Sequence, residues 1–168
     1  LTEEGIVVGA GHTNATGDDI HKAADAGLRY MIHFTNGPTG NSFKPFNGGG
    51  AVEGALTDDR IYLEQICDGY HVNPAYIRDI IVRKGPQRII AVTDTTYITG
   101  SDITEFNSGG IKGEVSGDGN YLKVVGKTNT LFGSNLTMNR GFRNMLNWLT
   151  SEMPGVWNAS HGALEFPD

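Results

Sequence analysis

Cysteine is almost absent from this 168-residue chain. With Cys67 alone, no internal disulfide can staple the fold, and a reducing cytoplasm is the expected setting. Positive charge is also in short supply. Thirteen Lys and Arg against nineteen Asp and Glu leave a net charge of -6, so no basic stripe can track a nucleic-acid backbone. An acidic chain can still hold one small anion through a few placed groups, which keeps sugar phosphates open. No apolar run nears the roughly 20 residues that span a membrane, and no signal-peptide pattern occurs. Neither nucleic acid nor membrane is therefore an expected partner. What the chain has in excess is glycine, 24 residues clustered beside the expected strand ends. Tight turns and close backbone approach to a ligand require glycine there. A hydrophobic content of 38% excludes wholesale disorder, and the length suits a single domain over residues 1–168.

Short apolar runs alternate with helical patterns. Gly5–Ala10 (GIVVGA) reads as a buried strand. Ile20, Ala23, Ala24 and Leu28 then keep helical period from Asp18, and Gly27 marks the stop. Tyr30–Phe34 reads as a second strand, followed by a Gly/Pro/Asn loop over 36–50 and a short helical or irregular stretch over 51–58. Ile61, Leu63 and Ile66 fit a third strand within Arg60–Cys67. Asn73 precedes a helix predicted over Pro74–Lys84, with Ile77, Ile80 and Ile81 on one face. Arg88–Thr93 reads as a fourth strand, apolar enough to be covered on both sides. Beyond Gly100, the GDGN between EVS and YLKVV predicts a hairpin within 114–125. Thr137–Thr150 predicts an amphipathic helix burying Met138, Phe142, Met145, Leu146 and Leu149, capped by Ser134 or Thr137. The tail Met153–Asp168 is expected to be irregular or partly ordered. This βα rhythm gives an α/β class with a parallel sheet.

The expected strands end in groups that ligate or titrate: His12, His33 and Asp94, with His71 after the third. Polar groups repeated at the C-terminal ends of parallel strands are where a TIM barrel keeps its active site. Two neutral imidazoles one βα unit apart can converge on a divalent metal such as zinc. A carboxylate at Asp94 can take a proton from an activated water and return it to a leaving amine. Each residue alone also fits a plain loop or capping role; four in register favour a site. Asn36 and the glycines after it offer backbone N–H groups to phosphate or sugar oxygens, and Lys44 is the nearest cation in that loop. His71 could polarise a carbonyl or bind substrate, whereas His21 and His161 read as surface residues.

GHTNAT (11–16), IHFTNG (32–37), ICDGYHVNP (66–74), AVTD (91–94) and FGSNLTM (132–138) together resemble, in order and spacing, the N-acetylglucosamine-6-phosphate deacetylases. The resemblance runs over about residues 5 to 150 and implies a branch of the amidohydrolase superfamily with a metal-dependent (β/α)8 barrel. It implies that His12 and His33 are the metal-binding histidines after strands five and six, and Asp94 the catalytic aspartate after strand eight. It further implies substrate contacts at His71, with Asp68, Gly69 and Tyr70 beside it, at Asn36 and Gly37, and along Thr130, Leu131, Phe132 and Gly133. The implied cofactor is zinc, with iron, cobalt or manganese as alternatives, and the implied partner is a small amino-sugar phosphate. Three departures stand out: Asn36-Gly37-Pro38 replaces asparagine–alanine–methionine, TDTT replaces TDA, and Lys44 stands where an arginine helps bind the phosphate. Lysine keeps the charge but loses the bidentate fork. These changes could mark another amino sugar, such as a galactosamine derivative.

The resemblance supplies strands five to eight of a barrel, a hairpin and a C-terminal helix, without the glutamate ligand of an earlier strand. The expected reaction is hydrolysis of the acetamido amide of an amino-sugar 6-phosphate, impaired in so short a chain. The competing expectations are an amidohydrolase for another N-acyl substrate and a non-catalytic sugar-phosphate-binding or assembly fragment. Open sheet edges predict a homo-oligomer or a complementing barrel half.

Overall fold

Thr16 shows how closely local chemistry sets the boundaries. Its hydroxyl accepts from the Asp19 backbone N–H while Asp19 accepts from the Thr16 N–H, a reciprocal cap that starts the helix α1, Gly17–Asp25. The structure, a computed structural model, describes residues 1–37 and 39–150. Pro38, His161 and the tail Met153–Asp168, for which irregular structure was expected, lie outside the described residues. The chain divides into two compact units, Leu1–Gln65 with Tyr76–Ile90, and Ile66–Ala75 with the chain from Ala91 onward.

In the first unit, β1 (Val8–Ala10), β2 (Leu28–Met31) and β3 (Tyr62–Ile66) pair in parallel, and β4 (Ile89–Val92) completes the order β1-β2-β3-β4. Helices α1 and α2 (Ala51–Thr57) fit tightly because both carry glycine at the crossing; a Cβ on Gly54 would lie 2.6 Å from Gly17 Cα. Helix α3 spans Pro74–Lys84 as its pattern predicts, with Asn73 Oδ1 accepting from Ala75 N and Ile77, Ile80 and Ile81 buried. Leu28, Met31, Phe34, Ile61 and Leu63 form the core with Ile20, Ala24, Ala51, Ala55 and Ile80. At the far end of α3, the buried Lys84 ammonium donates to the Ala55 and Asp58 carbonyls at the C-terminus of α2.

Four expectations change here. The first strand is shorter than Gly5–Ala10 and its start is not buried: Ile6 is 50% and Val7 66% exposed. Gly5 takes φ 76 to close a 3-10 turn over Thr2–Glu4, so the chain is turning where extension was read. β2 begins at Leu28 and stops at Met31, because the chain turns at His33, whose φ is 30. β4 is half-buried rather than covered on both faces, with Ile90 exposed. His21 is half-buried and bonds the Gly54 carbonyl and Thr57 hydroxyl of α2.

In the second unit, β5 (Glu105–Ser108), β6 (Ile111–Val115) and β7 (Leu122–Val124) form an antiparallel sheet in that order. The expected hairpin is β6–β7; β5 was not anticipated, since EFNS carries one apolar residue. Ile98, Phe106 and Leu122 make its core, with Val115 and Phe132 packed against them. Helix α4 (Met138–Thr150) has the predicted span and period. Its predicted burial is wrong. Leu149 is buried, but Met138, Phe142 and Leu146 are 52%, 60% and 46% exposed. Period fixes that a helix forms, not that anything covers its apolar face. Ser134 turns its hydroxyl to the Thr93 carbonyl and accepts from Leu136 N, so it is committed to this turn. Among the described residues no helix is long and apolar enough to cross a membrane.

Candidate functional site

Each expected metal or acid–base residue stands two positions beyond a strand: His12 after Ala10, His33 after Met31 and Asp94 after Val92. All three carry positive φ, of 45, 30 and 50. That region costs a non-glycine residue on the order of 1–3 kcal/mol, and strain of this kind clusters at functional sites. Three such turns at equivalent places are a single repeated device, which lifts the side chain off the strand end.

In the first unit the two histidines meet. His12 Nε2 and His33 Nε2 are 3.1 Å apart, with ring centroids 4.7 Å apart and planes at 59°. Two imidazole nitrogens bound to one tetrahedral zinc at their usual distance stand about 3.3 Å apart, so the pair is spaced as two ligands of one ion. Backbone bonds hold the rings there. Ile32 N donates to the Ala10 carbonyl, Phe34 N to the Glu64 carbonyl, and His33 N to Glu64 Oε2 at 3.1 Å. Glu64 had not been singled out; its signal was a carboxylate inside an otherwise largely apolar strand. Gly37, at φ 74, leans on the other ring, since a Cβ there would lie 2.6 Å from His12 Nε2. His33 Nδ1 is buried without a hydrogen-bond partner, whereas a metal-binding histidine normally donates its second N–H. Among the described residues no group of three or more His, Cys, Asp or Glu could hold a metal, so the donor set fits a divalent ion but is only two strong. Asn36 is half-buried and its N–H donates to the His33 carbonyl; Lys44 is exposed in the same loop.

In the second unit, Asp94 is exposed and its backbone is pinned. Its carbonyl accepts from Ser134 N at 2.7 Å, while the buried Ser134 hydroxyl donates to the Thr93 carbonyl. Gly133 makes this approach possible, because a Cβ there would lie 2.9 Å from the Asp94 carbonyl oxygen. The FGSN segment thus positions Asp94 through backbone contacts, a role the sequence reading did not give Ser134. Thr130 and Phe132 bond back to β7, Thr130 O accepting from Val124 N and Phe132 N donating to Leu122 O. Phe132 stacks edge-on to Phe106 at 4.9 Å, inside the small core, and Leu131 is half-buried beside it.

Asp68 and His71 form a second buried constellation. Asp68 Oδ2 lies 2.7 Å from His71 Nδ1, and Asp68 Oδ1 accepts from the Tyr70 and His71 backbone N–H groups. Burial, the largest single influence on the Asp68 carboxyl, pushes its pKa up; the hydrogen bonds and charge from His71 outweigh it and hold the group below the usual range. Gly69 turns the chain at φ 84, and the Tyr70 ring packs against Tyr121 at 4.8 Å. Neighbouring Cys67 is buried, which pushes its thiol up to about 12 and makes it an inert thiol rather than a nucleophile.

No family model matches the chain. Individual proteins do. It is 31% identical over 94% of its length to N-acetylglucosamine-6-phosphate deacetylase of Vibrio furnissii. It is 32% identical over 93% of its length to N-acetylgalactosamine-6-phosphate deacetylase of Escherichia coli O157:H7. Among solved structures, a mutant N-acetyl-D-glucosamine-6-phosphate deacetylase from Mycobacterium smegmatis, in complex with N-acetyl-D-glucosamine-6-phosphate, matches 87% of the chain with a TM-score of 0.74 and 31% identity. The chain covers 37% of the Vibrio protein, 38% of the Escherichia protein and 37% of the Mycobacterium chain.

Proposed function

From its relation, along most of its length, to the N-acetylglucosamine-6-phosphate deacetylases, we propose that this chain is part of a (β/α)8 catalytic barrel, strands five to eight, serving deacetylation of N-acetylglucosamine 6-phosphate. The single observation that carries the reading is the 3.1 Å approach of His12 Nε2 to His33 Nε2 on strained strand-end turns. His12 and His33 would hold a divalent metal, zinc before iron, cobalt or manganese. When bound, it supplies Lewis acidity and an acidified water. Asp94 takes a proton from the attacking water as the new C–O bond forms at the acetyl carbon. It returns that proton to the amine nitrogen as the C–N bond breaks, leaving acetate and glucosamine 6-phosphate. Asn36, the Gly37 backbone and Lys44 would meet the phosphate or sugar oxygens, with Asp68, Gly69, Tyr70, His71 and Thr130 to Gly133 as further substrate contacts. A cytoplasmic setting fits the single buried Cys67.

The 32% identity to an N-acetylgalactosamine-6-phosphate deacetylase supports a second reading, with the galactosamine derivative as substrate. Among the described residues β1 lies at the edge of its sheet, which supports association with a second copy or a complementing barrel half; light scattering would show this as a mass above one chain. The deciding experiment is zinc content after dialysis, together with acetate release from both sugar phosphates. Near one zinc per chain, lost in His12→Ala/His33→Ala, with turnover abolished in Asp94→Asn, supports the proposal. Absence of both metal and turnover beside measurable sugar-phosphate binding favours a non-catalytic binding fragment instead.

A further inference from the structure

Asp68 stands two residues beyond the end of β3 at Ile66, the place that His12, His33 and Asp94 hold after their own strands. Both of its carboxylate oxygens are committed. Oδ1 accepts from Tyr70 N at 2.8 Å and His71 N at 3.0 Å, and Oδ2 faces His71 Nδ1 at 2.7 Å. The Asp68 and His71 side chains are 0% and 2% exposed, so solvent does not compete for the Oδ2–Nδ1 contact. We infer that Asp68 is a positioning residue: it fixes His71 as the Nδ1–H tautomer and leaves the Nε2 lone pair as the edge offered to a ligand.

An ionised carboxylate only accepts, so the shared proton belongs to Nδ1. A neutral imidazole protonated at Nδ1 accepts at Nε2. The tautomer therefore decides between the two roles the sequence left open for His71. Polarising a carbonyl requires an N–H at Nε2, which the Nδ1–H tautomer lacks. The ligand atom that fits is a donor, and a sugar presents several, its hydroxyls. Naming the ligand as a sugar rests on the proposed function; the tautomer lock does not.

The geometry also makes Asp68→Asn a directed test. Two backbone N–H groups at Oδ1 require an acceptor there, so the asparagine oxygen must take that side. Its Nδ2 then faces His71 Nδ1 as a donor, and the imidazole proton is forced to Nε2. Nitrogen-15 NMR of the ring-labelled 168-residue chain at neutral pH reads this directly, with His71→Gln assigning the resonance. We expect wild-type His71 to show a pyrrole-type Nδ1 and a pyridine-type Nε2, exchanged in Asp68→Asn. A wild-type ring protonated at Nε2, alone or on both nitrogens, overturns the inference without any variant being needed. Titration with N-acetylglucosamine 6-phosphate by calorimetry gives the second arm, with an expected loss on the order of tenfold in Asp68→Asn. An exchanged tautomer with unchanged affinity overturns the acceptor role. The expected wild-type tautomer in a chain that binds no sugar phosphate supports the lock and sinks the functional reading instead.

Discussion

The two units bury their apolar residues by different means. In the first, α1 and α2 join strands that are consecutive in sequence, and Ile61, Leu63, Ala51 and Ala55 are fully buried. In the second, among the described residues, three short antiparallel strands gather Ile98, Phe106 and Leu122 into a buried cluster, Ile66, Cys67, Val72, Leu136 and Leu149 are buried as well, and α4 leaves Met138, Phe142 and Leu146 exposed. Local βα repetition completes its own core, because each helix covers the strands that flank it. A small meander and one amphipathic helix do so only in part. Truncating a buried side chain should therefore cost more in the cluster under α1 and α2 than in the small cluster of the antiparallel sheet.

The largest effect tests that contrast. Ile61→Ala removes a fully buried side chain from the larger described cluster and should cost about 3 kcal/mol in urea unfolding. Leu122→Ala, equally buried, should cost about 2 kcal/mol, since a smaller cluster can collapse around the void. Equal costs, or a larger one for Leu122, would break the comparison.

The same contrast explains what was legible in the sequence. Helix α3 was read to the residue because proline, a preceding asparagine and an isoleucine face act within eleven positions. The hairpin was read from its turn. β5 was missed because its partner β6 is set by pairing across a turn, and EFNS has no alternation of its own. The exposed face of α4 was misjudged because burial depends on what lies opposite. At the site, the order of His12, His33 and Asp94 after strands was visible in the sequence. The supports were not: Glu64 holds His33, and Ser134 holds Asp94, through contacts 31 and 41 residues away or to a neighbouring backbone carbonyl. Nor can a sequence show that three non-glycine residues sit at positive φ.

Next in size is an effect on the metal pair as well as on folding. Gly37→Ala places a methyl 2.6 Å from His12 Nε2 at a backbone φ of 74. The ring must move, so zinc affinity should fall by roughly tenfold, in the range seen when a ligand's supporting groups are lost. Unfolding should also lose about 1–2 kcal/mol, the strain of a non-glycine residue at positive φ. A large loss of stability with intact zinc binding would show that the loop supports the fold and not the histidines.

A smaller effect is electrostatic. The hydrogen bonds from Arg60 hold the Asp58 carboxyl down at about 2, against an ordinary 3.8. A depressed folded-state pKa gives stability that is fully present above about pH 4 and is lost as pH falls towards 2. The Arg60 side chain is half exposed and also reaches Asp25, so solvent weakens the pair and the loss should be on the order of 1 kcal/mol. Asp58→Asn should flatten this part of the acid-unfolding curve. An unchanged curve would assign the acid sensitivity elsewhere.

The smallest expected effect is the most informative about the second unit. Phe142 lies on the exposed stripe of α4 with Met138 and Leu146. If that stripe contributes nothing to folding of this chain, Phe142→Ser should change unfolding free energy by less than about 0.5 kcal/mol, as exposed substitutions do. The helix should persist by circular dichroism, since serine and phenylalanine are about equal as helix formers. A cost near 2 kcal/mol would mean that Phe142 is covered in solution, and its dependence on protein concentration would then separate the two sources of cover. A cost that grows with concentration belongs to association with a second copy, and one that does not belongs to the chain itself.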